Sequence, residues 1–210
     1  MNLSPQYFLA ALLLLVGTAH AHPVSFKGGY GVMPAYTPDR QELELNYSLT
    51  QSSAIALTAI NIDYEHHTLQ FALPQFNYKL FRRNEVDSQT NLYASVGLGG
   101  SRYQGDTDLA GLAAFQADYE TRRIYTLLAG EHLQTEGIGL NRVRYRFGVA
   151  PYLTDFESVH TWLIAQVEYT PELGEEVTIT PILRLFYQNY LLEVGVSLKG
   201  ELFAAGIFHF

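Results

Sequence analysis

The chain has 210 residues, with 13 Lys and Arg against 21 Asp and Glu, a formal charge of −8 and no cysteine. That balance argues against a nucleic-acid partner, which recognises a basic patch. The absence of Cys excludes a disulfide framework and any thiolate metal site.

In chain order, residues 9–16 form a short apolar run, followed by Ala19 and Ala21 in the small-x-small spacing of a secretory cleavage site. The expected division is a signal peptide over 1–21 and a mature chain over 22–210 that begins at His22. The run is well short of the ~20 apolar residues that a spanning helix needs. Charged or strongly polar residues interrupt every other apolar stretch, so a helical membrane protein is excluded. Crossing a bilayer would then require a closed sheet, which satisfies its backbone groups internally.

Beyond residue 22 the apolar period is two. In 41–50, Leu43, Leu45, Tyr47 and Leu49 alternate with Glu42, Glu44, Asn46 and Ser48, the pattern of a half-buried strand. The same alternation sets Val143, Tyr145, Phe147 and Val149 against Arg142, Arg144 and Arg146, and sets Leu192, Val194, Val196 and Leu198 against Glu193, Gly195 and Ser197. Clusters of turn formers separate the runs. The longest cluster, 99–111, is expected to be a loop. Candidate strands lie near 24–33, 41–50, 54–63, 68–82, 89–98, 112–133, 138–149, 160–170, 176–187, 190–198 and 201–210. Spanning strands need about 9–11 residues, so 112–133 is expected to be two strands meeting at 120–123. This predicts an all-β, transmembrane, antiparallel up-and-down barrel of about twelve strands; ten is the alternative, with 24–33 outside the barrel.

The last ten residues are an apolar strand with Phe208 and Phe210 on one face. Ending on such a strand, the chain resembles small bacterial outer-membrane β-barrel proteins, whose final strand carries the signal read by the barrel-assembly machinery. The resemblance implies a Gram-negative outer-membrane location, lipid and that machinery as partners, and Phe208 and Phe210 as the assembly signal. Tyrosines near the strand ends and the single Trp162 would sit at the headgroup level.

Function is written more faintly. With apolar faces toward lipid, the lumen receives Glu42, Glu44, Asp118, Glu120, Arg122, Arg142, Arg144, Arg146, Arg184 and Glu193. These charges could pair as a dry polar core. They could instead line a narrow, porin-like passage for small solutes, with the three β-strand arginines favouring anions. Either way the expected protein is non-catalytic. One alternative is a barrel-borne lipid-modifying hydrolase, for which Ser158 and His160 with Glu168 are the nearest approach to a nucleophile and its base. Another is a soluble periplasmic barrel that binds a small ligand. His22 and the pair His66 and His67 offer imidazole to a metal, but adjacent strand residues face opposite ways and Pro23 removes a backbone donor. No metal site and no cofactor are expected.

Overall fold

The computed structural model describes residues 23–155, 157–174 and 176–210. The expected cleavage after Ala21 and the new terminus at His22 lie outside the described residues. Twelve strands follow one another: β1 Tyr30–Tyr36, β2 Arg40–Ser48, β3 Ser53–Tyr64, β4 His67–Asn84, β5 Ser88–Tyr103, β6 Asp106–Thr121, β7 Ile124–Thr135, β8 Ile138–Val149, β9 His160–Tyr169, β10 Thr178–Tyr187, β11 Tyr190–Val196 and β12 Leu202–His209. Each pairs antiparallel with its sequence neighbours, and β12 returns to β1 to close the barrel. Closure runs to the last residue, since Phe210 N donates to the Tyr30 carbonyl and Tyr30 N to the Phe210 carbonyl, both at 2.9 Å. No sheet edge is left to recruit another chain.

The stretch 112–133 divides into β6 and β7 around Arg122 and Arg123, so the count is twelve. The first strand begins later than expected. Residues 23–29 instead tuck into the barrel mouth, where Val24 is buried with Ala54 and Tyr93 and Ser25 N donates to Ser48 Oγ at 3.0 Å. The expected loop at 99–111 is strand on both sides of a two-residue turn, Gln104 and Gly105, which both have positive φ. That is the primed geometry whose twist matches the strands it joins. The glycines before it serve a close approach. A Cβ on Gly99 would run into the Ala72 carbonyl of β4, so only glycine lets the sheet bend so tightly there.

Call the end that holds both chain termini the near end and the other the far end. Through the middle of the barrel, outward positions are apolar and exposed: Leu43 and Leu45 on β2, Ile55 and Leu57 on β3, Val143, Tyr145 and Phe147 on β8, Leu183 and Leu185 on β10, Leu192 and Val194 on β11. Aromatic residues gather toward the near rim, with Tyr30 against Tyr47 at 4.8 Å, Phe76 stacked on Tyr78 at 6.3 Å and Tyr190 against Phe208 at 6.2 Å. An apolar band with aromatic rings at its rim is the pattern expected on the outer face of a bilayer-spanning barrel. Trp162 does not join that rim. It faces inward, 6% exposed, edge-on to Tyr125 at 6.3 Å, because it shares parity with Ile164 and Gln166 on the inner face of β9.

At the far end the tall strands β3–β8 reverse this polarity. Ile60, Ile62, Leu69, Phe71, Leu73, Ala110, Leu112, Leu133 and Leu140 pack together inside, while Asn61, Asp63, Thr68, Gln70, Arg102, His132 and Asn141 are exposed outside. An outward charge near the bilayer midplane costs about 2–4 kcal/mol and little at the interface, so in a bilayer this storey would stand clear of hydrocarbon. It carries its own small core, as a water-soluble sheet would. Outside that core Asn141 donates to the Glu172 carboxylate through its backbone N at 2.9 Å and Nδ2 at 2.7 Å. Partial burial raises the Glu172 pKa, but these hydrogen bonds outweigh it and hold the carboxyl below its ordinary range.

Candidate functional site: a charged lumen

The inner wall beneath the apolar storey is ionic. On β2 the alternation begins one residue before the expected strand, so Arg40, Glu42 and Glu44 all face inward. Arg40 reaches Glu131 of β7 with a two-pronged pair, Nη1 to Oε1 at 2.6 Å and Nη2 to Oε2 at 3.0 Å. In a ring of twelve, β2 and β7 stand almost opposite, so this pair crosses the lumen. Arg40 also donates from Nε and Nη2 to Glu42, at 3.1 and 2.9 Å. From β8, Arg142 donates to Glu168 of β9 at 2.8 Å and approaches Glu42 across the barrel at 3.9 Å. Leu133 and Leu140, the next inward residues toward the far end on β7 and β8, put the apolar core directly above this ionic layer.

A second layer lies nearer the termini. Glu193 of β11 accepts from Arg146 of β8, at 3.0 Å, and from Arg184 of β10, at 2.7 Å. Arg146 Nε also donates to Gln166 at 2.7 Å. Both guanidiniums lie over rings, Arg184 4.3 Å from the Tyr125 centroid and Arg146 5.6 Å from that of Phe203. Arg146, Arg184 and Glu193 each have a counter-charge, an amide or a π-face, which is what makes a buried ionic group tolerable.

The opposing wall is acid and amide. Glu44 accepts from Asn46 and Asn77, both at 3.1 Å, and from Gln75 at 3.5 Å. Asp118 of β6 accepts from Asn91 at 2.7 Å and Gln116 at 3.4 Å. Arg82 donates to Asn91 at 2.6 Å and to the Tyr93 hydroxyl at 2.8 Å. Guanidiniums thus gather on β8 and β10, interleaved with Glu131, Glu168 and Glu193, while β2 and β6 carry mostly carboxylates. Along the lumen runs a cavity of about 810 Å³, lined from Thr37 at the far end to Asn84 and Ser88 at the near end.

Of the residues picked out by alternation, Glu42, Glu44, Asp118, Glu120, Arg142, Arg144, Arg146, Arg184 and Glu193 line this interior, Glu120 beside the near mouth. Arg122 borders the same cavity from a turn at its near mouth rather than from a strand. It occupies the two-residue turn between β6 and β7 and is exposed at the mouth, because a strand break there removes it from the inner-face series. Arg40, Glu131 and Glu168 complete the ionic layers, and alternation missed their role. Arg40 could have been found by extending the 42/44 parity back one step. Glu131 was hidden because its inward neighbours Tyr125, Leu127 and Leu133 are apolar, so β7 shows no clean polar face.

The hydrolase constellation is not assembled. Ser158 is exposed in the 150–159 connector. Glu168 sits eight residues along β9 from His160, about 26 Å at ~3.3 Å per residue, and is engaged by Arg142. His66 and His67 lie at the far β3–β4 turn, and no cluster of three metal-ligating side chains exists among the described residues. Phe208 faces outward at the β12–β1 seam, where it covers Gly206.

No protein-family model matches this sequence, and no curated protein matches it either. Among solved structures the barrel is similar to the KdgM porin in complex with disordered oligogalacturonate, with a TM-score of 0.50 at 8% identity, covering 87% of this chain and 98% of that one. The KdgM porin by itself gives a TM-score of 0.46 at 8% identity over the same shares. OmpT, an outer-membrane protein of Vibrio cholerae, gives 0.36 at 8% identity, covering 89% of this chain and 98% of the other. At such identities the likeness speaks for the fold. The chain is a closed twelve-stranded antiparallel barrel.

Proposed function

We propose that this protein is a non-catalytic outer-membrane barrel that forms a narrow, porin-like passage for small polar solutes. It would be exported by a signal peptide over 1–21, cleaved before His22, and inserted with Phe208 and Phe210 as the assembly signal. The observation that carries the reading is the long charged cavity and the Arg40–Glu131 pair that spans it. Side-chain bridges across a barrel narrow a passage without closing it, as charged rings do in pores. The exposed apolar band supports the membrane setting over a soluble barrel, since soluble proteins rarely leave so large an apolar surface uncovered. The fold shared with a porin solved with oligogalacturonate supports a solute path.

Planar-bilayer recording tests the reading. The refolded protein should give small, discrete conductance steps, and Arg40→Ala combined with Glu131→Ala should enlarge them. A barrel that inserts, as judged by heat-modifiable migration, yet never conducts in either form would refute the passage.

A further inference from the structure

We infer that Arg144 is an anion-binding residue of the lumen, taking a single negatively charged group, a halide or the carboxylate of a small solute. The inference rests on the reading of the barrel as a passage and gives that passage a preferred cargo chemistry.

Arg144 stands out in a census of ion-pair partners. Among the described residues the inward ion pairs join four guanidiniums, those of Arg40, Arg142, Arg146 and Arg184, to four carboxylates, those of Glu42, Glu131, Glu168 and Glu193. Those pairs balance among themselves without Arg144; Asp118 and Arg82 also face the lumen and meet at Asn91, and Glu120 stands at the near mouth. Arg144 lies between Arg142 and Arg146 on the same inner face of β8 and lines the same cavity. Its cross-strand neighbour on β9 is Glu168, but that carboxylate is taken by Arg142 at 2.8 Å and Gln166 at 3.4 Å. On the other side it neighbours Ala129 of β7, which offers nothing. Its Nε is buried with no hydrogen-bond partner. Glu44, also outside the ion pairs, has its charge answered by the amides of Asn46, Asn77 and Gln75, so it does not complement Arg144.

Arg144 is half-buried, with its Nε out of solvent and unpartnered, so a counter-ion is favoured there, and the planar fork is suited to a carboxylate or another compact acceptor. The cavity in front of it falls in the range of small-molecule sites. A mobile anion completes the wall where no side chain does.

Trp162, the single tryptophan of the chain, lies toward the near end of this cavity beside Arg184, so the reporter chain, wild type at Arg144, is Trp162→Phe with Ala129→Trp, which sets the indole at the cross-strand neighbour of Arg144 in the same cavity. In the refolded full chain, tryptophan fluorescence would be quenched with iodide, caesium and neutral acrylamide. A unit charge about 5 Å from an ion's path in a water-filled lumen changes the local ion concentration about fourfold. Iodide is enriched and caesium depleted by that factor, so iodide should out-quench caesium by about sixteenfold. Arg144→Gln should bring the two ions toward parity with acrylamide quenching unchanged, and Arg144→Lys should keep the iodide advantage. Equal quenching by the two ions in the wild type, or an iodide advantage untouched in Arg144→Gln, overturns the assignment.

If Arg144→Gln does not fold, competition in the wild type decides. Saturable relief of iodide quenching by chloride supports a halide site, and saturable relief by acetate supports a carboxylate site. Relief that follows ionic strength alone overturns both. The passage itself is judged separately. Arg144-dependent quenching in a barrel that does not conduct leaves the site standing and removes the pore. Conductance whose reversal potential and quenching ratio ignore Arg144→Gln does the reverse.

Discussion

The waist of the barrel and its far storey are built from the same strands, yet they bury opposite residues. On β8, Val143 and Tyr145 face out while Arg142 and Arg144 face in; two positions further along, Asn141 faces out and Leu140 in. On β3, Leu57 faces out at the waist and Asn61 faces out above it, with Ile60 and Ile62 inside. On these two strands the register does not slip, so the pleat is continuous and only the solvent outside changes. Alternation thus reports a strand, and the sign of the alternation reports whether lipid or water lies against the outer face.

The largest effect should come from ignoring that reversal. Leu69 is fully buried in the far core, and Leu69→Asp would leave an unpartnered carboxylate there, at a cost of about 3–5 kcal/mol if it matches the breaking of a buried pair. The outward neighbour Gln70→Asp should change stability by less than about 0.5 kcal/mol, as exposed substitutions do. Urea unfolding of refolded protein in lipid reads both. Equal damage from the two would mean that the far storey is not a core.

Next comes the lipid face of the waist. Tyr145→Arg sets a cation in the apolar band and should cost about 2–4 kcal/mol. His132→Arg, outward on the adjacent strand but beyond the band, should be close to neutral. If the two variants unfold at the same urea concentration, the hydrocarbon edge has been drawn in the wrong place.

A smaller loss is expected where the two regions join through the β4–β5 bend. Gly99→Ala would push a methyl group into the Ala72 carbonyl, and forced overpacking of this kind costs about 1–3 kcal/mol. Gly137, whose Cβ would meet nothing within 4 Å, has a positive φ of 73°, so Gly137→Ala isolates backbone strain from crowding. Comparing the two by thermal or urea unfolding separates close approach from turn geometry.

The strand count and the closed antiparallel order were legible because clean alternation at 41–50, 141–149 and 190–198 leaves little freedom once helices are excluded. The facing of Arg142, Arg144 and Arg146 followed from the same pattern. The tight turn at Gln104 and Gly105 was not legible, since the Gly and Asp residues around it read as a loop although the glycines serve a bend and the turn needs only two residues. The cross-lumen partners were not legible either. Arg40 and Glu131 are separated by 91 residues, and no local pattern tells which strands of a ring stand opposite. Trp162 was misplaced at the rim because a lone aromatic residue carries no parity until its strand is fixed.

The smallest expected effect contrasts the ion pairs of the lumen with one at its rim. Arg83 and Glu85 meet at 2.5 Å in the β4–β5 turn with side chains 68% and 50% exposed, whereas Arg40 and Glu131 meet at 2.6 Å with 8% and 18% exposed. In water the rim pair gains little Coulomb energy, pays the entropy of two long side chains, and should show a coupling between about 0 and 1 kcal/mol in a double-mutant cycle. The lumen pair is two-pronged and shielded, so its coupling should be larger. Salt sharpens the comparison. Charges open to bulk solvent are screened over about 8 Å at physiological ionic strength, so raising salt should erase the rim coupling first. If the lumen coupling falls in step with it, the water around Arg40 is continuous with the bath, as a passage requires. A lumen coupling indifferent to salt would identify the bridge as a closed seal and would count against conduction through it.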